Sequence, residues 1–408
     1  MPLSDGQYQV GHSERRFRVL IAGRRFGKTY LAIRELAKFA RQPNRSIVYI
    51  APSYRQAKTI VWKELKEKLG RLRWIKKVNE SELTIHLVNN STIALRSAEN
   101  YDSIRGMGID FAVFDEFADI AEETWTEAVR PALSDRLGHA LFIGTPKGVS
   151  NWAKDLYERG QLPGETTWGS WQFTTIDGGN VPESEIEAAR EDLDERTFRQ
   201  EYLASFETYS GIIYYNYTPA VVYEEKPEIT DKSILHIGMD YNVNPLTAVI
   251  SISDGKTIQV FDEIAIYGSD TYEMVAELED RYPNNRKVIY PDASGANRRT
   301  SGTSDVRILK EAGYAVKMSN RNPPVRDRIN SVNAAFKNSK GDARLTIHKS
   351  CKQLANCLNK QIYKPDTQQP DKNSGFDHMN DALGYLVWQI LPIKSPPVKQ
   401  DNSYFGMV

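Results

Sequence analysis

The stretch Ala22-Gly23-Arg24-Arg25-Phe26-Gly27-Lys28-Thr29 has the residue types and spacing of a phosphate-binding loop. It follows an apolar run, Phe17 to Ile21. It opens a segment with helical apolar spacing at Leu31, Ile33, Leu36, Ala37 and Ala40, which is the strand-loop-helix context that such a loop requires. Backbone N–H groups of Gly23, Arg24, Arg25 and Gly27 would cradle the phosphates of ATP, Lys28 would reach the β and γ oxygens, and Thr29 would hold Mg²⁺. The first glycine of the usual pattern is replaced by Ala22, and two arginines stand inside the loop. Downstream, Phe111-Ala112-Val113-Phe114 runs into the paired acids Asp115-Glu116. After a phosphate loop, Asp115 suits the water shell of Mg²⁺ and Glu116 suits orienting or deprotonating an attacking water. The next apolar run ends in Ile143-Gly144-Thr145-Pro146. There the Thr145 hydroxyl could sense a γ-phosphate, or the residues could simply make a Gly-Pro turn.

A second set of acids lies in the other half of the chain. Asp240 and Asp292 each end an apolar run, and Asp377 is expected to cap a helix with Asp381 one turn later on the same face. Three separated acids at strand ends and a helix start suit two Mg²⁺ or Mn²⁺ ions that clamp both sides of a scissile phosphate. Cap usage alone would also favour an aspartate at 377. Around these acids, Asn297-Arg298-Arg299-Thr300-Ser301-Gly302 and Arg321, Arg326 and Arg328 read equally as DNA-backbone contacts or as solvated loops. Gln7-Tyr8-Gln9 could meet an adenine ring or form an ordinary N-terminal arm.

The elements that must position these residues are two series of short apolar runs. The first comprises Phe17–Ala22, Ile47–Ala51, Thr92–Leu95, Phe111–Phe114 and Ala140–Ile143, alternating with helical or polar stretches as in a wound, mostly parallel α/β sheet. The second comprises Ile234–Met239, Thr247–Ser251, Thr257–Ile266, Lys287–Tyr290 and Ala315–Lys317. Between them, the acidic stretch Pro182 to Tyr202 reads as a solvated helix closing the first domain, and Thr208 to Ser233 as a linker.

With 408 residues, the chain can hold two or three cores. Its 53 Lys+Arg balance 53 Asp+Glu, which excludes a uniformly basic nucleic-acid coat but not local patches. Such patches occur at Arg15, Arg16, Arg18, Arg24 and Arg25, and from Lys58 to Lys77. The second either faces a phosphate backbone or is a solvated face interleaved with Glu64 and Glu67. Two cysteines, Cys351 and Cys357, have neither zinc nor redox spacing and imply a reduced, intracellular protein. No signal peptide and no membrane-length apolar run is expected.

The irregular loop Arg24-Arg25 with Gly27-Lys28-Thr29, the acidic strand, the Gly-Thr-Pro and Ile104-Arg105-Gly106 together resemble the large terminase subunit of tailed bacteriophages. The resemblance runs from about Arg18 to Trp388. It implies an ATPase whose site is completed by an arginine from a neighbouring subunit, matched here by Arg105, with Arg24 of the same subunit as the competing candidate. It also implies a ribonuclease H-like nuclease whose acids fall on Asp240, Asp292 and Asp377, with Asp381 and Glu263 as further possible ligands. The implied fold is an N-terminal P-loop ATPase domain over residues 1–205, a linker over 206–233 and a nuclease domain over 234–394; the tail over 395–408, outside the resemblance, carries Pro396-Pro397 and reads as mobile. The implied activity is ATP-driven translocation of double-stranded DNA into a procapsid, with metal-dependent cutting of concatemers. Its partners would be the portal protein and the small terminase subunit, in a homo-oligomeric ring that can dissociate to monomers, in the host cytoplasm and away from membranes. A helicase or recombination ATPase would share the phosphate loop without needing the second set of acids. A non-catalytic DNA-binding or capsid-assembly protein would keep only the basic patches.

Overall fold

The computed structural model describes residues 3–148, 151–207, 211–242, 244–296, 303–364, 367, 369–372 and 375–393. The loop from Asn297 to Gly302 and the tail from Ser395 lie outside the described residues. The chain divides into two compact units, Met1–Ile186 with Arg199–Thr208, and Glu187–Phe198 with Tyr209–Val408.

The first unit is built on eight strands: β1 (Phe17–Ala22), β2 (Ser46–Ala51), β3 (Ile75–Asn79), β4 (Thr84–Leu87), β5 (Thr92–Ser97), β6 (Phe111–Asp115), β7 (His139–Gly144) and β8 (Trp168–Phe173), in the order β3-β4-β5-β2-β6-β7-β1-β8. From β5 to β8 every neighbouring pair is parallel, while β3 and β4 extend the sheet antiparallel. β1 and β6 are buried at every position, as expected of parallel strands covered on both faces. The five apolar runs of the first half fall on β1, β2, β5, β6 and β7. The adjacent exposed lysines Lys76 and Lys77, with a register shift beside them, hide β3 from a period-two reading.

The second unit carries β9 (Val222–Tyr223), β10 (Ile234–Asp240), β11 (Leu246–Ser253), β12 (Ile258–Ile266), β13 (Arg286–Pro291), β14 (Ala315–Val316) and β15 (Leu345–His348), in the order β14-β13-β10-β11-β12-β15-β9. β11 is antiparallel to both of its neighbours, β10 and β12, and β13 runs parallel to β10. The helix Asp377–Ile390 packs so closely on β10 that a Cβ at Gly238 would come within 2.1 Å of the Ala382 carbonyl oxygen.

Two expectations about the middle of the chain need correction. The segment read as a linker contributes to the second unit: Ile213 and Tyr214 are buried in its core, and β9 pairs with β15. The acidic stretch is two helices, Glu183–Asp192 and Glu195–Tyr202, and residues Glu187–Phe198 group with the second unit. There Ser339 donates its N–H to the Leu193 carbonyl at 2.7 Å, and Lys340 pairs with Glu187 and Glu191. Helical periodicity reveals that a face is buried, not which body buries it. No described helix is long and apolar enough to cross a membrane. Cys351 and Cys357 are both free and buried.

Candidate active sites

Strand β7 lies between β1 and β6, with Gly144 opposite Ile21 and Ile143 opposite Asp115. The segments that leave the C-terminal ends of these three strands therefore emerge side by side. This brings Lys28, Asp115, Glu116 and Thr145 together. The Lys28 ammonium donates to the carbonyls of Ala22 and Gly23 at 2.8 and 3.1 Å and to the Thr145 hydroxyl at 3.3 Å. The Glu116 carboxylate accepts the Thr145 N–H at 3.3 Å, so Thr145 links the lysine to the acid. Glu116 sits at φ 46, in the left-handed region where a non-glycine residue is strained. Asp115 accepts its neighbour's N–H at 3.0 Å and the phenol of Tyr49. Burial and the nearby Glu116 push the Asp115 carboxyl up to about 6, against the opposing pull of Tyr49 and Lys28. Burial also lowers the Lys28 ammonium, opposed by Glu116 and Asp115.

The loop is held from behind through its carbonyls. The Gln7 amide donates to Phe26 and Gly27 at 3.3 and 3.2 Å, Asn180 to Arg25 and Phe26 at 3.2 and 3.1 Å, and the Thr175 hydroxyl to Arg24 at 2.8 Å. These contacts fix a backbone with Arg25 at φ 62 and Gly27 at φ 99. The expected phosphate cradle is narrower than its sequence suggests. The Gly23 N–H donates to the Phe173 carbonyl at 3.0 Å and the Arg24 N–H to that of Glu201 at 2.8 Å. The donors that remain for an anion are the Arg25 N–H and those from Gly27 into the first turn of the helix Lys28–Ala40, which includes Thr29 and whose first N–H groups have no intrahelical acceptor. Gly23 instead serves packing, since a Cβ there would meet the Thr175 hydroxyl at 2.5 Å. Gln7 belongs to the helix Asp5–Gly11 rather than to an arm. Its signal was the capping-box pattern of Ser4 and Gln7, and its loop contact had no sequence signal.

The two candidate arginines differ in setting. Arg24 pairs with Glu201 at 2.5 Å; this partner raises its guanidinium, and Glu116 adds to the effect. Arg105 pairs with Glu127 at 2.6 Å and Asp102 at 3.2 Å, and its side chain is about half exposed. In the basic segment after β2, Lys63, Lys66 and Lys68 are paired with Glu67, Glu80 and Glu64.

In the second unit, β10 and β13 are parallel neighbours with Met239 opposite Pro291, so Asp240 and Asp292 leave the sheet together. The helix Asp377–Ile390 starts at the same edge. Asp377 is its first residue, and Phe376 occupies the cap position expected for the aspartate. His378 joins these acids, with Nδ1 3.3 Å from Asp240 and Nε2 3.8 Å from Asp377. The hydrogen bond to Asp240 raises its imidazole. Asp292 accepts from the Ser294 N–H at 2.5 Å, the Asn322 amide at 3.0 Å and the Tyr385 phenol at 2.7 Å. Burial pushes the Asp292 carboxyl up, yet these bonds leave it below the ordinary range. Among the described residues no three acids or histidines form a ready-made metal-ligand group. One observation nevertheless fits a cation: among the described residues the buried Asp377 Oδ1 has no hydrogen-bond donor, and its charged neighbour, His378 Nε2, stays 3.8 Å away, a state that is costly unless a closer charge compensates it.

The two further acids are engaged elsewhere. Glu263 accepts the N–H groups of Gln353 and Leu354 at 2.8 and 2.7 Å, at the start of the helix Lys352–Lys360. Two strands across and two residues along from Asp240, its Cα is roughly 12 Å from that of Asp240. Its environment is that of a helix-terminus anion, not of a partner to Asp240. Asp381 pairs with Arg328 at 2.5 Å, both largely buried, so Arg328 is not a DNA-facing surface arginine. Arg321 shares a shallow recess beside Asp292 with Tyr385 and Trp388.

Comparison with known proteins follows this division. Residues 19–217 match the family model "Terminase large subunit, T4likevirus-type, N-terminal", and residues 237–389 match "Terminase RNaseH-like domain". The large terminase subunit of Escherichia phage T5 is 28% identical over 400 residues, spanning 92% of this chain and 87% of that protein. That of Thermus phage G20c is 27% identical over 331 residues, spanning 67% and 64%. The large terminase of a thermophilic bacteriophage has the same fold, with a TM-score of 0.66 at 18% identity over 96% of this chain and 100% of that one. The structure of that same terminase in complex with ADP gives a TM-score of 0.65 at 18% identity over the same shares. With the two parts of one family matched in order along it, the chain belongs to the large terminase subunits of tailed bacteriophages, an ATPase domain followed by a ribonuclease H-like domain.

Proposed function

We propose that this chain hydrolyses ATP at the β1–β6–β7 edge to drive double-stranded DNA into a procapsid, and cuts that DNA at the β10–β13 edge. The observation that carries the first part is the Lys28–Thr145–Glu116 linkage, which ties a phosphate-loop lysine to a general base through one residue. In this reading Lys28 exchanges its carbonyl partners for β and γ phosphate oxygens, and Glu116 takes a proton from the attacking water. Thr29 and Asp115 would hold Mg²⁺, which offsets phosphate charge. Thr145 reports on the γ-phosphate because it touches both groups. Arg105, exposed, completes the site of a neighbouring subunit in a ring on the portal, and Arg24, near Glu116, assists within its own subunit.

For cleavage, Asp240, Asp292 and Asp377 would hold one or two Mg²⁺ or Mn²⁺ ions, which activate water and offset charge on the scissile phosphate. Arg321, beside Asp292, is suited to the DNA backbone. The working compartment is the host cytoplasm, and the small terminase subunit is a further partner. The phosphate-loop assignment is tested by ATPase assay. Lys28→Ala should abolish turnover, and Glu116→Gln should retain nucleotide but hydrolyse it slowly. Wild-type turnover in Lys28→Ala would overturn the reading.

A further inference from the structure

Beside the acids of the second unit lies a buried permanent cation. Arg328, in the helix Val325–Phe336, is 3% exposed and donates Nη2 to Asp381 Oδ1 at 2.5 Å. Its guanidinium lies 4.4 Å from the centroid of the Tyr385 ring, and the Tyr385 phenol donates to Asp292 at 2.7 Å. The fit depends on Gly384, where a Cβ would come within 2.7 Å of Arg328 Cγ. Asp381 and Asp292 are thus joined through one guanidinium and one ring. A lysine could neutralise Asp381 but could not also lay a planar face on Tyr385.

Burying an arginine is costly unless its partner is fixed, so a carboxylate given to Arg328 is poorly free to ligate a metal. We propose that Arg328 is a positioning residue for DNA cleavage: Asp381 is its counter-ion rather than a metal ligand, and the pair fixes Tyr385, which sets Asp292. Four acids, Asp240, Asp292, Asp377 and Asp381, lie around this edge without forming a closed group; His378 lies by Asp240 and Asp377, and Lys372 is 3.7 Å from both Asp377 and Asp381. Arg328 offsets part of their mutual repulsion and leaves Asp240, Asp292 and Asp377 to the cation. The proposal rests on the reading of those three as the metal ligands.

The test is a cycle in the full-length protein, with Mn²⁺ binding measured by calorimetry, metal-free melting, plasmid nicking and ATPase activity. Asp381→Asn strands the buried guanidinium and should weaken Mn²⁺ binding by about tenfold, in the range of losses when a supporting residue around a metal is removed. Adding Arg328→Gln to it should recover most of that loss, because no ligand has been removed. Tyr385→Phe, which keeps the ring, should melt as wild type and hydrolyse ATP normally, yet need several-fold more Mn²⁺ for half-maximal nicking, with the rate recovered at high Mn²⁺. A double variant that binds Mn²⁺ no better than Asp381→Asn would make Asp381 a ligand and overturn the proposal. So would an unchanged Mn²⁺ requirement in Tyr385→Phe. Wild-type protein that binds no Mn²⁺ would instead overturn the metal reading itself.

Discussion

Gln7→Ala tests whether the N-terminal helix shapes the phosphate loop or reads the base. Gln7 is 4% exposed, donates to Phe26 and Gly27 at 3.3 and 3.2 Å, and accepts the Ser4 N–H at 3.1 Å. At about 1 kcal/mol net per hydrogen bond, losing all three would cost about 3 kcal/mol. Part of this is retained, because Asn180 still serves the Phe26 carbonyl and the Leu31 N–H still serves that of Gly27. A loss of about 1–2 kcal/mol in loop order remains, or about five- to thirtyfold in apparent nucleotide affinity. Since Gln7 touches loop backbone, ATP and GTP should weaken by the same factor in equilibrium binding with fluorescent analogues. A selective loss of ATP would show that Gln7 reads adenine, and unchanged affinity for both would show that the contact is dispensable. Either result refutes the reasoning.

Asp115 is raised to about 6 and partly restrained by the Tyr49 phenol. Its protonated form cannot support Mg²⁺, so kcat/KM for ATP should fall as pH drops through about 6. Tyr49→Phe should move that limb to higher pH, and an unmoved limb would assign it to another group. Arg105→Ala should bind ATP but fail to hydrolyse it, and mixing it with Lys28→Ala should restore some turnover; full hydrolysis by dilute monomeric wild type would shift the role to Arg24. A nuclease fragment starting at Ser233 omits the buried Ile213, Tyr214 and Phe198. At roughly 1.5–3 kcal/mol per large apolar side chain, it should melt well below one starting at Glu187; equal melting would contradict the division of the chain.

Much of this site was legible because its chemistry is written at strand ends. Lys28, Asp115 and Thr145 each follow an apolar run, and a parallel sheet brings such ends to one edge. The same holds for Asp240 and Asp292. What could not be read was what holds them. Thr175, Asn180 and Glu201 act through contacts across more than a hundred residues and Tyr49 from mid-strand, and no periodicity encodes that. Arg328 looked like one of several loop arginines, and only its burial against Asp381 and Tyr385 separates it from Arg321. Glu263 was assigned by resemblance, and its local task at the N-terminus of Lys352–Lys360 depends on a helix packing beside β12. The segment 206–233 reads as a linker in sequence because Ile213 and Tyr214 are too few to make a pattern.

The most direct test of two separate chemistries on one chain is plasmid cleavage in Mn²⁺ or Mg²⁺, with and without ATP, by wild type, Asp240→Asn and Lys28→Ala. Asp240→Asn should lose cutting and keep ATP hydrolysis, because a neutral amide cannot offset the charge of close cations. Lys28→Ala should do the reverse, and excess EDTA should stop cutting by wild type and by Lys28→Ala. Full cutting by Asp240→Asn, or cutting that survives EDTA, would contradict the account of the second site.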